Sequence, residues 1–271
     1  MEVVAVEPHG FCAGVTGALR KALSIADRPV YCLHELVHNE LVVSELAGRG
    51  FVFVDGLDDV PDGATVLFSA HGVGPAVRSA AEARGLKVVD ATCPFVTRVH
   101  KAARSFAESG LPVVIIGKAS HAEVQGILGE VPDALVVSSI DEARAVPLRG
   151  ARIGVVSQTT MNADEVREIV EALRGRCEVE TMADVCGATK ERQDAVKAFD
   201  GDALLVLGSA NSSNTRRLCE VARCKTFRAG TMEEVRALDF SGVRRLGLTS
   251  GASTPEDFFA AVKGILERMK T

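Results

Sequence analysis

Short apolar runs rich in β-branched residues alternate with amphipathic stretches from one end of the chain to the other. Val3–Val6, Phe51–Val54, Thr65–Ser69, Lys87–Asp90, Pro112–Ile116, Ala134–Ser138, Arg152–Ser157, Ala203–Gly208 and Arg245–Ser250 read as strands. Phe95–Glu108, Asn162–Leu173, Ala188–Phe199 and Pro255–Met269 carry their apolar residues at helical spacing. Strands that are apolar throughout, rather than alternating, belong to sheets covered on both faces, as parallel sheets flanked by helices are. The expected class is α/β.

A weak internal repeat narrows the architecture. Cys12, Cys93 and Cys186 each follow a strand-like run and precede a helical pattern, in GFCAGV, ATCPFV and DVCGAT, and lie 81 and 93 residues apart. Polar residues recur at similar offsets. His38 comes 26 after Cys12, His121 comes 28 after Cys93, and Asn214 comes 28 after Cys186. His71, Thr159 and Ser253 form a second set, 59, 66 and 67 residues after the same three cysteines. The pattern predicts three similar α/β units with mainly parallel sheets, around a central cavity on a pseudo-threefold axis. Residues 1–92, 93–185 and 186–271 are the expected units, with soft boundaries and the N-terminal strand a candidate for the third. Ligands of open α/β sheets bind at the carboxyl ends of the strands, where each cysteine and its polar loops would then stand.

Composition removes several function classes. Aromatics are only 4% of the 271 residues, with no Trp and one Tyr, so a base-stacking platform is not expected. The net charge is −5 without a Lys/Arg run, which argues against a nucleic-acid partner. No stretch approaches the roughly 18–20 apolar residues of a membrane span, and no signal-peptide pattern opens the chain. A cytoplasmic protein is expected. Its seven cysteines then favour ligands or buried thiols over disulfides.

Three isolated cysteines before helices suit a metal centre, because the free N–H groups at a helix start favour thiolate. Three ligands leave one coordination position open, unlike a closed structural zinc site, and no C-x-x-C pair occurs. A [4Fe-4S] cluster with one open iron fits this donor set; so, for each thiol alone, does the role of buried apolar filler. Cys32, Cys177, Cys219 and Cys224 are assigned to filler. Ser69–Gly72, Ser157–Thr160, Ser209–Asn214 and Thr249–Ser253 each follow an apolar strand and could donate hydrogen bonds to phosphate oxygens, although such residues also cap helices. Glu123, two residues after His121 at a strand-to-helix junction, reads as a proton donor or as a first-turn acid. His100 lies in a helical stretch, as a surface or packing residue, and with His9 and His34 it receives no functional assignment. P-loop, G-x-G-x-x-G and G-x-S-x-G motifs are absent.

The segments GFCAGV, HELVHN, SAHGV, DATCPFVTRVH, SHAEVQG, SQTT, CGATKERQ, GSANSSNT and TSGAST, in this order over residues 10–254, closely resemble the LytB family of 4-hydroxy-3-methylbut-2-enyl diphosphate reductases. The resemblance implies that Cys12, Cys93 and Cys186 hold a [4Fe-4S] cluster with one open iron. It implies reductive removal of a hydroxyl from a small allylic diphosphate, giving isopentenyl and dimethylallyl diphosphates. His38, His71, Ser212, Ser213, Asn214 and Ser253 are implied to bind the diphosphate. Glu123, Thr159 and His121 are implied at the substrate hydroxyl. With no flavin or nicotinamide motif, electrons are expected from an external donor such as ferredoxin or flavodoxin. Gly17, Lys118 and Ala122 depart from the family's usual Arg, His and Pro. Two readings compete: a non-catalytic three-cysteine metal module, which gives Glu123 and Thr159 no role, and a cysteine-nucleophile phosphate hydrolase, which gives two cysteines none.

Overall fold

The computed structural model describes residues 1–182 and 184–269. Among these described residues, twelve strands form three four-stranded sheets in which every pairing is parallel, as the apolar runs predict. The first sheet has the order β3-β2-β4-β5, from Phe51–Val54, Val30–Leu33, Thr65–Phe68 and Lys87–Asp90. The second is β7-β6-β8-β9, from Leu135–Val137, Val113–Ile116, Arg152–Ser157 and Glu178–Met182. The third is β1-β12-β10-β11, so the N-terminal strand Glu2–Ala5 pairs with Arg245–Ser250 beside Ala203–Leu207 and Lys225–Ala229. The helices are α1 (Ala13–Leu23), α2 (Glu40–Gly48), α3 (Pro75–Ala83), α4 (Pro94–Glu108), α5 (Ala122–Glu130), α6 (Ile140–Ala145), α7 (Ala163–Arg174), α8 (Gly187–Ala198), α9 (Ser213–Val221), α10 (Met232–Ala237) and α11 (Glu256–Arg268). None among the described residues is long and apolar enough to cross a membrane.

The chain divides into two compact units. One comprises Met1–Thr16, Val37–Arg49 and Gly187–Thr271 and holds the third sheet; the other comprises Gly17–Leu36 and Gly50–Cys186 and holds the first two. In the former, Leu205, Leu207, Leu246 and Leu248 pack with Phe259, Val262 and Leu266 of α11. Leu204 and Val206, pointing the other way, pack with Val196 of α8 and Leu218 of α9. In the latter, Val114, Ile116, Ile153 and Val155 cover one face, while Val113, Ile115 and Val156 cover the other. Burial on both faces is why these strands read as unbroken apolar runs, each large side chain contributing about 1.5–3 kcal/mol.

Strands β2, β9 and β11 do not appear among the sequence expectations. β9 and β11 are edge strands that carry Glu178, Glu180, Lys225 and Arg228 at half-exposed or exposed positions, so their pattern is polar. β2 is interior, but its four residues follow Pro29 too briefly to stand out. Thr249, Ser250 and Ser157 close strands β12 and β8, with the bounds 245–250 and 152–157 read from the sequence. The polar segments after β4, β8, β10 and β12 all stand at carboxyl ends of strands.

Candidate functional site

In the unit containing the first two sheets, Glu123 occupies the first turn of α5 and is only 2% exposed. Its Oε1 accepts the Thr159 N–H at 2.7 Å and its Oε2 accepts the Thr159 hydroxyl at 3.1 Å. Burial pushes its pKa from 4.5 up to about 7, against the opposing pull of the two Thr159 bonds. The carboxyl thus holds or releases a proton near neutral pH. His121 caps the same helix, its Nδ1 accepting the Glu123 N–H at 3.2 Å, so the neutral ring carries its proton on Nε2. The His71 ring stands edge-on to His121, centroids 5.7 Å apart, and Ser69 Oγ lies 3.2 Å from His71 Nδ1.

Two of the three cysteines share this network. The Cys186 N–H donates to the Thr159 carbonyl at 3.1 Å, and the Cys93 N–H donates to the carbonyl of Ala70, beside His71, at 3.0 Å. Gln158 supports the arrangement, accepting from the Lys118 N–H at 3.1 Å and donating to Thr160 Oγ1 at 2.9 Å.

The other unit brings together Cys12, His38, Ser212, Ser213, Asn214 and Ser253. The Ser253 hydroxyl donates to the His38 carbonyl at 3.0 Å, and the Cys12 N–H donates to the carbonyl of neighbouring Ala252 at 3.1 Å. Ser212 caps α9 by accepting the Thr215 N–H at 3.3 Å, and Ser213 and Asn214 open that helix. Ser212, Ser213, Asn214 and Ser253 are all buried. Both ends of the Asn214 amide lie buried without a hydrogen-bond partner, as do the neighbouring Thr215 hydroxyl and Arg216 Nε, a costly arrangement that a polar ligand at the amide would relieve.

Sequence reasoning passes over the residues that hold the Cys12 loop. Arg192 of α8, 3% exposed, donates to the carbonyls of His9 and Gly10 at 3.4 and 2.8 Å, and the Gly10 N–H donates to Ser250 Oγ at 2.8 Å. The only available signal is that Arg192 belongs to the CGATKERQ segment. His100 proves to be a packing residue, 5% exposed.

None of the seven cysteines pairs with another in a disulfide. Cys12 and Cys186 directly precede α1 and α8, Cys93 caps α4, and the Val15 N–H lies 3.5 Å from Cys12 Sγ. These half-exposed thiols at helix starts are a donor set suited to soft metals. Burial pushes Cys32 up to about 12 and Cys219 up to about 11, and it raises Cys177 and Cys224 as well, as expected of inert fillers. Among the described residues, no three His, Cys, Asp or Glu side chains are grouped so as to hold a metal ion.

The family model described as LytB protein matches residues 3–268. The chain belongs to the LytB family. It is 45% identical over 282 residues to the 4-hydroxy-3-methylbut-2-enyl diphosphate reductase of Ralstonia nicotianae, covering 99% of this chain and 86% of that protein. It is 42% identical over 280 residues to the reductase of the same name from Acidithiobacillus ferrooxidans, covering 98% and 89%. Among solved structures it resembles the E-1-hydroxy-2-methyl-but-2-enyl-4-diphosphate reductase from Plasmodium falciparum at 31% identity, with a TM-score of 0.92, over 98% of this chain and 87% of that one. A second is (E)-4-hydroxy-3-methyl-but-2-enyl diphosphate reductase, the terminal enzyme of the non-mevalonate pathway, at 33% identity and a TM-score of 0.70, over 99% and 100%. These LytB relatives are reductases, and a non-catalytic metal module finds no support among them. Of the three departures from the family pattern, Gly17 lies on α1 with open space where a side chain would project.

Proposed function

We propose that this chain is a 4-hydroxy-3-methylbut-2-enyl diphosphate reductase. It replaces the substrate's allylic C–O bond by C–H, consuming two electrons and two protons and releasing water, with isopentenyl and dimethylallyl diphosphates as products. The observation that carries this reading is Glu123: a fully buried carboxyl with a pKa of about 7, fixed through both oxygens by Thr159. A hydroxyl leaves as water only if it is protonated, and a buried carboxyl that is half protonated at cytosolic pH is matched to that task. Protonated Glu123 donates to Thr159 Oγ, which in turn presents its own proton to the substrate hydroxyl. His121 orients the same group.

His38, His71, Ser212, Ser213, Asn214 and Ser253 bind the diphosphate, with the unpartnered Asn214 amide as the main support. Cys12, Cys93 and Cys186 hold a [4Fe-4S] cluster with one open iron. Ligands of such a cluster bind different irons, so they need not be gathered as tightly as those of a single ion. When bound, the cluster supplies electrons and a Lewis-acid position. The electrons come from an external cytosolic donor of the ferredoxin or flavodoxin kind. Three units at 1–92, 93–185 and 186–271, with soft boundaries and the N-terminal strand joining the third, each contribute one ligand. Anaerobic purification tests the proposal. A brown protein containing iron and sulfide that converts the substrate under a chemical reductant supports it; a colourless, zinc-bearing or metal-free protein overturns it.

A further inference from the structure

His100 has no part in the chemistry, yet three segments of the second unit close around it. Its Nδ1 lies 3.1 Å from a carboxylate oxygen of Glu130, the last residue of α5, whose side chain is 4% exposed. Arg104 donates to the other oxygen through Nε and Nη2 at 3.0 and 2.7 Å. The opposite edge of the ring, Cε1 and Nε2, faces glycines. A β-carbon at Gly72 would stand 3.1 Å from Nε2, and one at Gly126 would stand 3.1 Å from Cε1 and 3.2 Å from the Gly72 carbonyl. Gly72 adopts φ +77°, open to glycine at little cost. Further along, a β-carbon on either Gly74 or Gly129 would come within 2.7 Å of the other's Cα, so the backbones of the 69–74 segment and α5 meet directly.

The imidazole is neutral here. Its Nδ1–H donates to Glu130, while Nε2 is buried without a partner between the glycines, where a second N–H would find no acceptor. Burial holds its pKa below the ordinary value; Glu130 opposes this, and Arg78 and Arg104 reinforce it. The segment pressed against this edge carries His71, and α5 carries His121 and Glu123.

We propose that His100 is a positioning residue for substrate binding, a wedge whose Cε1–Nε2 edge sets the separation between the 69–74 segment and α5 and so places His71 beside His121. This rests on the assignment of His71 to the diphosphate. Helix α5 is held independently by the Glu123–Thr159 pair, so loosening the wedge moves His71 and leaves the proton donor in place.

The test uses anaerobically reconstituted holoenzyme, inorganic diphosphate as the calorimetric probe, and turnover at saturating substrate. His100→Asn keeps a donor for Glu130 but removes the wedge edge. It should weaken diphosphate binding and raise KM about tenfold, leaving kcat and the cluster spectrum unchanged. Gly126→Ala pushes on the ring from the other side and should weaken binding similarly. In the double variant the new methyl fills the space the ring edge vacated, and affinity should return to within about twofold of the wild type. Two unrelated structural losses would add instead. Unchanged affinity in both single variants, with His71→Ala losing it, overturns the wedge and leaves the pocket assignment standing. Unchanged affinity in His71→Ala removes that assignment, and the wedge with it. If His100→Asn does not fold, Gly126→Ala carries the comparison alone, because its methyl presses on the ring from a helical position.

Discussion

In the role proposed for it, Glu123 is where folding and catalysis pull in opposite directions. Its carboxyl pKa stands near 4.5 in an unfolded chain and rises to about 7 in the folded protein because burial penalises the charged form. Between those values the native state binds more protons than the unfolded state, so this group's contribution is full below pH 4.5 and is lost as pH rises through 7. At about 1.4 kcal/mol per pKa unit, the loss amounts to roughly 3 kcal/mol at pH 8. Glu123→Gln should therefore melt at a higher temperature than the wild type at pH 8 and at nearly the same temperature at pH 5. It should also turn over about 10²–10⁴-fold more slowly while retaining cluster and substrate binding. Near-normal turnover with saturating reductant would assign the proton to another group. Asn214 offers a second such conflict. Asn214→Ala removes a buried, unsatisfied amide and should leave the melting temperature unchanged or raised, yet weaken inorganic diphosphate binding about tenfold or more. Equal affinity in calorimetry would take Asn214 out of the pocket. The residue types and offsets of Glu123 and Thr159 were legible in the sequence. That both carboxylate oxygens engage one residue 36 positions away was not, because nothing local encodes it.

At the level of elements, the strand–cysteine–helix pattern of the sequence survives intact. Cys12, Cys93 and Cys186 stand at the starts of α1, α4 and α8. Replacing any one by Ser should abolish or severely weaken cluster assembly, seen as lost iron and visible absorbance, since a hydroxyl is a poor substitute for thiolate. The same change at Cys32, Cys177, Cys219 or Cys224 should leave the cluster in place. A dispensable member of the first set alongside an indispensable member of the second would refute the assignment. Central strands such as β10 were readable because both faces are buried and every residue is apolar. β9 and β11 were not, because a sheet edge tolerates charge and its hydrogen bonds, invisible in composition, are what make it a strand. Arg192 escaped for a related reason. A buried Arg that holds backbone carbonyls looks, in sequence, like any polar residue on a helix.

On the scale of the whole chain, the unit that carries Cys12 is assembled from both termini. Val3 of β1 shares a core with Phe259, Val262 and Leu266 of α11, and β1 hydrogen-bonds to β12 at the edge of its sheet. Leu266→Ala, at a fully buried position, should cost about 2–5 kcal/mol. Because this core also supports the Cys12 loop, the variant should bleach at a lower temperature than the wild type. An unchanged bleaching temperature alongside a lowered melting temperature would separate the two.

Pairing the first strand with the last fixes a timetable for biogenesis. Cys12 leaves the ribosome long before the groups that hold its loop, Arg192, Ser250 and Ala252. At about 5–20 residues per second the nascent chain waits many seconds between the two events, with β1 unpaired and that thiol uncommitted. With the proposed ligand set, iron and sulfide offered before these later segments emerge would meet incomplete coordination, so loading of the metal centre belongs after their synthesis.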